Sequence, residues 1–307
     1  MVKEADFVRA LNLERVLATD AKELPIEVSN SNRPGLQFAD YWDFFAYERP
    51  QLLGKVEMTY LSQLDKNVRR ERLKKYFSYP LPCIIISRGY PCFDDMRVYA
   101  AAHNVPIYST KRETTDFELD MIRFLQDYLA PRETRHGVLV NVFGTGVLIT
   151  GNSGVGKSEA ALELIKRGHQ LVADDVVDIR RVGENQLIGE SPALVRHFME
   201  IRGIGIIDIS TMYGVGAIMN STTIDMEVHL ELWQTGKEYD RLGLQEQHTE
   251  ILGVRLPWLL LPIQPGRNLA VVLEVSARNF RLKQMGYNAA EELTRRHMER
   301  AMRSAEE

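Results

Sequence analysis

Cysteine is almost missing from this chain: its 307 residues hold only Cys83 and Cys92. No His stands near them at metal-ligand spacing, so neither a disulfide framework nor a zinc site is readable, and both are expected to be reduced thiols of a cytoplasmic protein. Long apolar runs are lacking too, the longest staying far below the roughly 20 residues of a membrane span. Met1 to Arg15 mixes charged with apolar residues and has no uninterrupted apolar core, so no signal peptide is expected. Neither charge dominates: 38 Lys and Arg stand against 42 Asp and Glu, and a net charge of −4 argues against a general nucleic-acid or anionic-membrane binder, local basic patches aside. The Asn-Lys-x-Asp run of guanine-reading switch proteins is absent, and so are internal repeats and low-complexity segments.

What is present is a phosphate-binding loop. Gly151-Asn152-Ser153-Gly154-Val155-Gly156-Lys157-Ser158 satisfies G-x-x-x-x-G-K-[ST] at every fixed position. The glycines let backbone N–H groups turn inward around a phosphate chain; Lys157 can reach its β and γ oxygens, and the Ser158 hydroxyl can hold Mg²⁺. Context supports the motif. Val147 to Thr150 reads as a buried strand entering the loop, and Ser158 to Arg167 reads as a helix leaving it, closed by Gly168.

Ahead of the loop, short apolar runs alternate with helical patterns, the mark of an α/β domain. A helical pattern rich in Lys and Arg covers Leu61 to Tyr76, and its basic run from Lys66 to Lys75 reads as a solvated face. Strands are expected at Pro82 to Ser87 and Val105 to Ser109, with helices at Met96 to His103 and Phe117 to Leu129. The helix-stopping Pro131 and its polar neighbours place a domain boundary near residue 130.

Beyond that boundary, Val138 to Phe143 and Val147 to Thr150 form a hairpin around Gly144-Thr145-Gly146. A short strand, Leu171 to Ala173, ends at Asp174 and Asp175, in the crevice that the carboxyl ends of strands share with the phosphate loop. One carboxylate there can support a metal, and the other can take a proton from an attacking hydroxyl. A β-hairpin is expected over Val176 to Leu187. In Glu200-Ile201-Arg202-Gly203-Ile204-Gly205-Ile206-Ile207-Asp208, the glycines permit close backbone approach to a bulky group; Glu200 can reach a metal and Arg202 a phosphate, or the two can pair with each other. Arg241 after Glu238-Tyr239-Asp240, and Arg267 within Pro265-Gly266-Arg267-Asn268, are further candidate phosphate contacts in turns. Met226 to Trp233, Trp258 to Ile263 and Leu269 to Val275 read as strands, and Asn288 with Glu291 as a capping box opening a C-terminal helix.

Together these residues resemble the HPr kinase/phosphorylase family, bifunctional enzymes of sugar-uptake control. The likeness runs nearly end to end, through Arg33 to Leu36, Gln51 to Gly54, His136 to Val140, the loop with Glu159, Leu171 to Asp175, Glu200 to Ile207, Tyr239 to Arg241 and Pro265 to Asn268. The resemblance implies an N-terminal α/β domain over residues 1–130, and over 131–307 a catalytic domain with nucleotide binding like that of phosphoenolpyruvate carboxykinase. It implies phosphorylation of a serine of the phosphocarrier protein HPr by ATP or pyrophosphate. The reverse is phosphorolysis, in which inorganic phosphate removes the phosphoryl group as pyrophosphate. Asp175 becomes the proton acceptor and donor; His136, Lys157 and Arg241 join it; Ser158 and Glu200 bind Mg²⁺, supported by Asp174. Met199 to Asp208 is tied to both reactions and Pro262 to Arg267 to dephosphorylation. A homohexamer and a response to fructose 1,6-bisphosphate are further implications. Two positions depart from the family pattern: Gln264, where an arginine is usual, removes one positive charge from the phosphorolysis stretch, and Asn152 replaces an aspartate in the loop.

The residues alone leave room for a small-molecule kinase, or for a nucleotide-gated regulatory module without transfer chemistry. A histidine before a strand is more often structural than catalytic, so it is the resemblance that gives His136 its role.

Overall fold

A computed structural model describes residues 1–237, 239, 246–264, 266 and 268–306, with side chains as far as 299. The chain divides into two units, Met1–Ala130 and Pro131–Glu307. The first runs β1 (Val2–Lys3), α1 (Glu4–Leu11), β2 (Glu14–Leu17), β3 (Glu23–Leu24), α2 (Gly35–Phe38), β4 (Gln51–Leu53), α3 (Lys55–Gln63), α4 (Lys66–Tyr76), β5 (Ile84–Ile86), α5 (Asp94–Ala102), β6 (Ile107–Ser109) and α6 (Thr114–Tyr128). Its main sheet has the order β2-β6-β5-β4, parallel except at β2. Ile84 and Ile86 enter one core with Phe38, Met58 and Tyr76, while Ile85 enters another with Phe7, Tyr108 and Phe117. Burial on both faces is why β5 is an unbroken isoleucine run. The helical pattern over Leu61 to Tyr76 is split in two, because Leu64 is extended and the Asp65 carboxylate accepts from Asn67 N at 2.8 Å, starting α4 afresh.

The second unit runs β7 (Arg132–His136), β8 (Val138–Val142), β9 (Thr145–Gly151), α7 (Lys157–Lys166), β10 (Gln170–Ala173), β11 (Val176–Val182), β12 (Gln186–Glu190), β13 (Phe198–Ile201), β14 (Gly205–Asp208), α8 (Ile209–Tyr213), β15 (Ser221–Thr223), β16 (Met226–Leu232), β17 (Gln247–Ile251), β18 (Val254–Ile263), α9 (Leu269–Gln284) and α10 (Ala289–Glu306). A six-stranded sheet, β10-β8-β9-β16-β18-β17, forms its centre, and a four-stranded sheet, β15-β12-β11-β7, lies against it. Val147, Ile149, Val228 and Leu230 meet Ala161 and Leu164 of α7 and Leu273 of α9 in one core. Leu139 and Leu148 meet Val177, Ile179 and Leu187 of the smaller sheet in another. Full burial of a side chain such as Leu148 stabilises the fold by about 1.5–3 kcal/mol.

Two local expectations are corrected, and one strand is added. The β8–β9 turn is Phe143-Gly144, both at positive φ (53° and 81°), with Val142 paired to Thr145. Leu269 to Val275 is helix, not strand: Asn268 Oδ1 caps Val271 N at 3.2 Å, and buried Ala270, Leu273 and Ala277 repeat at helical spacing. Arg132 to His136 is a strand, its polar residues alternating exposed and half-buried. At α10 the cap is present in altered form, with Asn288 Oδ1 accepting from Ala290 N and Nδ2 donating to Glu291. Cys83 and Cys92 are free, Cys83 wholly buried with its thiol pushed well up by that burial. Among the described residues no helix is long and apolar enough to cross a membrane.

Candidate active site

Because β9 and β16 are parallel, with Leu230 opposite Gly151, the loop leaves β9 beside the carboxyl end of its neighbour. Contact there is tight: a Cβ on Gly151 would lie 2.4 Å from Leu230 O. α7 then starts at Lys157, so its unpaired N–H groups and positive dipole end face the loop. The Lys157 ammonium folds back over the loop and donates to Gly151 O at 2.9 Å and Asn152 O at 3.1 Å. These are weak partners for a cation, and a phosphate chain in the loop can outcompete them.

β10 is antiparallel to β8, itself antiparallel to β9, so Asp174 and Asp175 emerge at the loop's end of the sheet. The two acids differ sharply. Asp174 is 6% exposed and accepts from Ser158 Oγ at 2.8 Å and Glu200 N at 3.1 Å. Burial raises its carboxyl above the ordinary range against the opposing pull of those hydrogen bonds. Asp175 has an exposed side chain and left-handed backbone, φ 64°, a conformation Asp tolerates better than most residues. Its corner is held by Gly137 N donating to Asp175 O at 3.0 Å and Val176 N to Asp174 O at 2.8 Å. Since β7 pairs with β11, His136 lies opposite Val176, and its Nδ1 sits 3.8 Å from Asp175 Oδ1.

The β13–β14 hairpin closes another side. Glu200 pairs with Ile206, and its backbone is tied to Asp174 while its side chain is exposed. Arg202 Nη2 donates to Ser153 Oγ at 3.3 Å, and its guanidinium covers Gly154, where a Cβ would meet Nη1 at 2.4 Å. Gly203 and Gly205 have positive φ (82° and 101°) in the hairpin turn, and among the described residues nothing lies within 4 Å of a Cβ on either. Gly266 likewise has positive φ, 85°. Arg241, Arg267, Glu238, Asp240 and Pro265 lie outside the described residues.

The structure thus brings together Gly151 to Ser158, Asp174, Asp175, His136, Glu200 and Arg202. Ser158, Asp174 and Glu200 offer hard oxygen donors, which suit Mg²⁺. Among the described residues no group of three or more His, Cys, Asp or Glu is arranged around a metal, so a cation here would share its shell with phosphate oxygens and water. Sequence reading missed Thr150, Glu227, His229 and Arg135. The signal was present, since the two-residue alternation of Met226 to Leu232 sets Glu227, His229 and Glu231 on one face of β16.

A phosphate loop on a mixed sheet, with a buried acid behind the loop serine and an exposed acid at the lip, defines a nucleotide-dependent phosphotransferase domain. Comparison with known proteins makes this specific. The HPr Serine kinase C-terminal domain family matches residues 127–297, and the HPr Serine kinase N terminus family matches residues 2–125. The HPr kinase/phosphorylase of Caldanaerobacter subterraneus is 49% identical over 94% of this chain and 95% of its own length. That of Bacillus subtilis is 44% identical over 95% of this chain and 94% of its own. A solved HPr(Ser) kinase/phosphatase from Coxiella burnetii, 40% identical, covers 52% of this chain and 98% of its own with a TM-score of 0.48. The chain belongs to the HPr kinase/phosphorylase family.

Proposed function

We propose that the chain phosphorylates a serine of HPr with ATP or pyrophosphate, and removes that phosphoryl group by phosphorolysis in the same site. The observation that carries this reading is the pairing of unlike acids, buried Asp174 bound to Ser158 and exposed Asp175 beside His136. In the forward direction the serine oxygen attacks the terminal phosphorus, its proton passes to Asp175, and ADP leaves, or inorganic phosphate where pyrophosphate is the donor. In reverse, a phosphate oxygen attacks the phosphoserine, Asp175 returns the proton to the departing serine oxygen, and pyrophosphate forms. The exposed corner lets a protein substrate reach Asp175; His136 orients and tunes its carboxylate. Lys157, Arg202, Arg241 and Arg267 supply positive charge to the phosphates. Mg²⁺ would be held by Ser158 and Glu200, with Asp174 behind Ser158, and would supply charge neutralisation on the phosphate chain. Cytoplasmic localisation, hexameric assembly and control of sugar uptake complete the reading.

The test is incubation with HPr, Mg²⁺ and ATP, followed by inorganic phosphate. The expected products are phosphoserine on HPr and then pyrophosphate. Absence of transfer to HPr, or release of the group to water as inorganic phosphate, would overturn the reading.

A further inference from the structure

Behind the loop lies a polar network that the chemistry above does not use. Glu227 and His229 of β16 stand opposite Leu148 and Thr150 of β9. Thr150 Oγ1 donates to Glu227 Oε1 at 2.7 Å and lies 3.0 Å from His229 Nδ1. With its one proton committed to Glu227, Thr150 accepts from His229 Nδ1–H. The other oxygen, Glu227 Oε2, is buried without a hydrogen bond; Glu227 is 6% exposed, and Arg135 Nη1 stands 3.7 Å from that oxygen. Arg135 is held in turn by Glu133 and, at 3.2 Å, by Glu250 O. A buried carboxylate facing a guanidinium survives only where the pairing is kept.

The position of this pair matters. Arg135 immediately precedes His136, and Thr150 immediately precedes Gly151. β7 and β9 belong to different sheets, so no ladder hydrogen bonds join them directly. The chain passes from β7 to β8 through Gly137 alone, packed so closely that a Cβ would lie 2.8 Å from Ile149 O. The ladder to β11 and the Gly137 N bond to Asp175 O hold β7 in its own sheet, and the Arg135–Glu227 pair adds a side-chain tie from β7 to the central sheet.

We propose that Glu227 is a positioning residue for phosphoryl transfer: through Arg135 it fixes the end of β7, and with it His136, against the end of β9 where Thr150 leads into the phosphate loop. This rests on the roles given above to His136 and Lys157. Glu227→Gln keeps the size and the acceptor for Thr150, but sets an amide or a neutral oxygen against Arg135. Arg135→Met removes the partner of Glu227 by changing a side chain that is itself 30% exposed.

The experiment measures kcat and KM for ATP, phosphorolysis rate, nucleotide affinity and thermal midpoint for both variants, their double and Arg135→Lys. Each single variant is expected to lower kcat in both directions by about 10- to 100-fold with KM for ATP within about 2-fold of native, a misplacement effect without loss of binding. The double variant should be no slower than the slower single, and Arg135→Lys should recover part of the rate. Native kcat in both singles would overturn the proposal, and so would parallel loss of kcat, nucleotide affinity and thermal midpoint, which marks a purely structural role. If Glu227→Gln does not fold, Arg135→Met and Arg135→Lys decide. Failure of the native protein to phosphorylate HPr refutes the function beneath this inference, whereas native activity with unaffected variants refutes the inference alone.

Discussion

The stretch from Arg33 to Glu57 in the first unit and the lip of the phosphate-loop crevice in the second, with Lys157, His136 and Asp175, handle polar groups in opposite ways. In the first, buried Glu57 and Gln51 are fully engaged by partners from neighbouring segments. Glu57 accepts from Gly54 N at 2.8 Å and Arg33 Nη2 at 2.9 Å. Buried Gln51 accepts from Asn32 and Tyr76 and donates to the carbonyls of Ala46 and Arg49. In the second, the partners of Lys157 among the described residues are carbonyls of its own loop, and His136 and Asp175 stand largely in solvent at 3.8 Å. Satisfied groups hold a backbone; under-committed charges await a ligand.

The sharpest way to break this contrast is Lys157→Ala. Both directions place a phosphate chain against this one cation, so kinase and phosphorolysis rates should vanish together while the thermal midpoint stays near native. Retention of either activity would show that the crevice is not a single shared site. Next in size is Glu57→Gln, which weakens two charge-assisted hydrogen bonds of a residue 4% exposed. Chemical denaturation should show a loss of about 1.5–3 kcal/mol, with nucleotide affinity unchanged. A loss of affinity at native stability would reverse the roles assigned to the two stretches.

The smallest effect is expected at Glu274 of α9, whose carboxyl is held below its usual range first by His169, at 2.9 Å, and then by Arg167, at 3.0 Å. A carboxylate whose folded pKa is depressed stabilises the protein above its unfolded pKa, about 4.3, and that contribution is lost as pH falls through the folded value. Glu274→Gln should therefore cost about 1 kcal/mol at neutral pH, the order of one hydrogen bond at a half-buried site, and nothing at a pH below the folded value. A deficit independent of pH would assign the effect to packing instead.

The phosphate loop, its strand and helix, and the two acids were legible in the sequence because each depends on local spacing. What was not legible depends on tertiary context. Leu269 to Val275 looks like a strand by its apolar and β-branched residues, and only the burial of Ala270, Leu273 and Ala277 against the sheet shows its helical period. The difference between Asp174 and Asp175 is likewise invisible in a dipeptide of identical residues. It comes from the left-handed corner at Asp175, held by Gly137 at the junction of β7 and β8. The turn that Gly203 and Gly205 make at positive φ, and the approach of Arg202 to Gly154, also depend on the folded hairpin.

That division of labour between neighbouring acids is the central claim, and Asp175→Asn tests it most directly when ATP binding, kinase rate and phosphorolysis rate are measured beside Asp174→Asn. Asp175→Asn should bind ATP near normally and lose about 10²- to 10⁴-fold in both directions, the worth of a general acid–base, while Asp174→Asn shifts the Mg²⁺ dependence. A native rate in either direction for Asp175→Asn, or loss of chemistry with intact binding confined to Asp174→Asn, would contradict it.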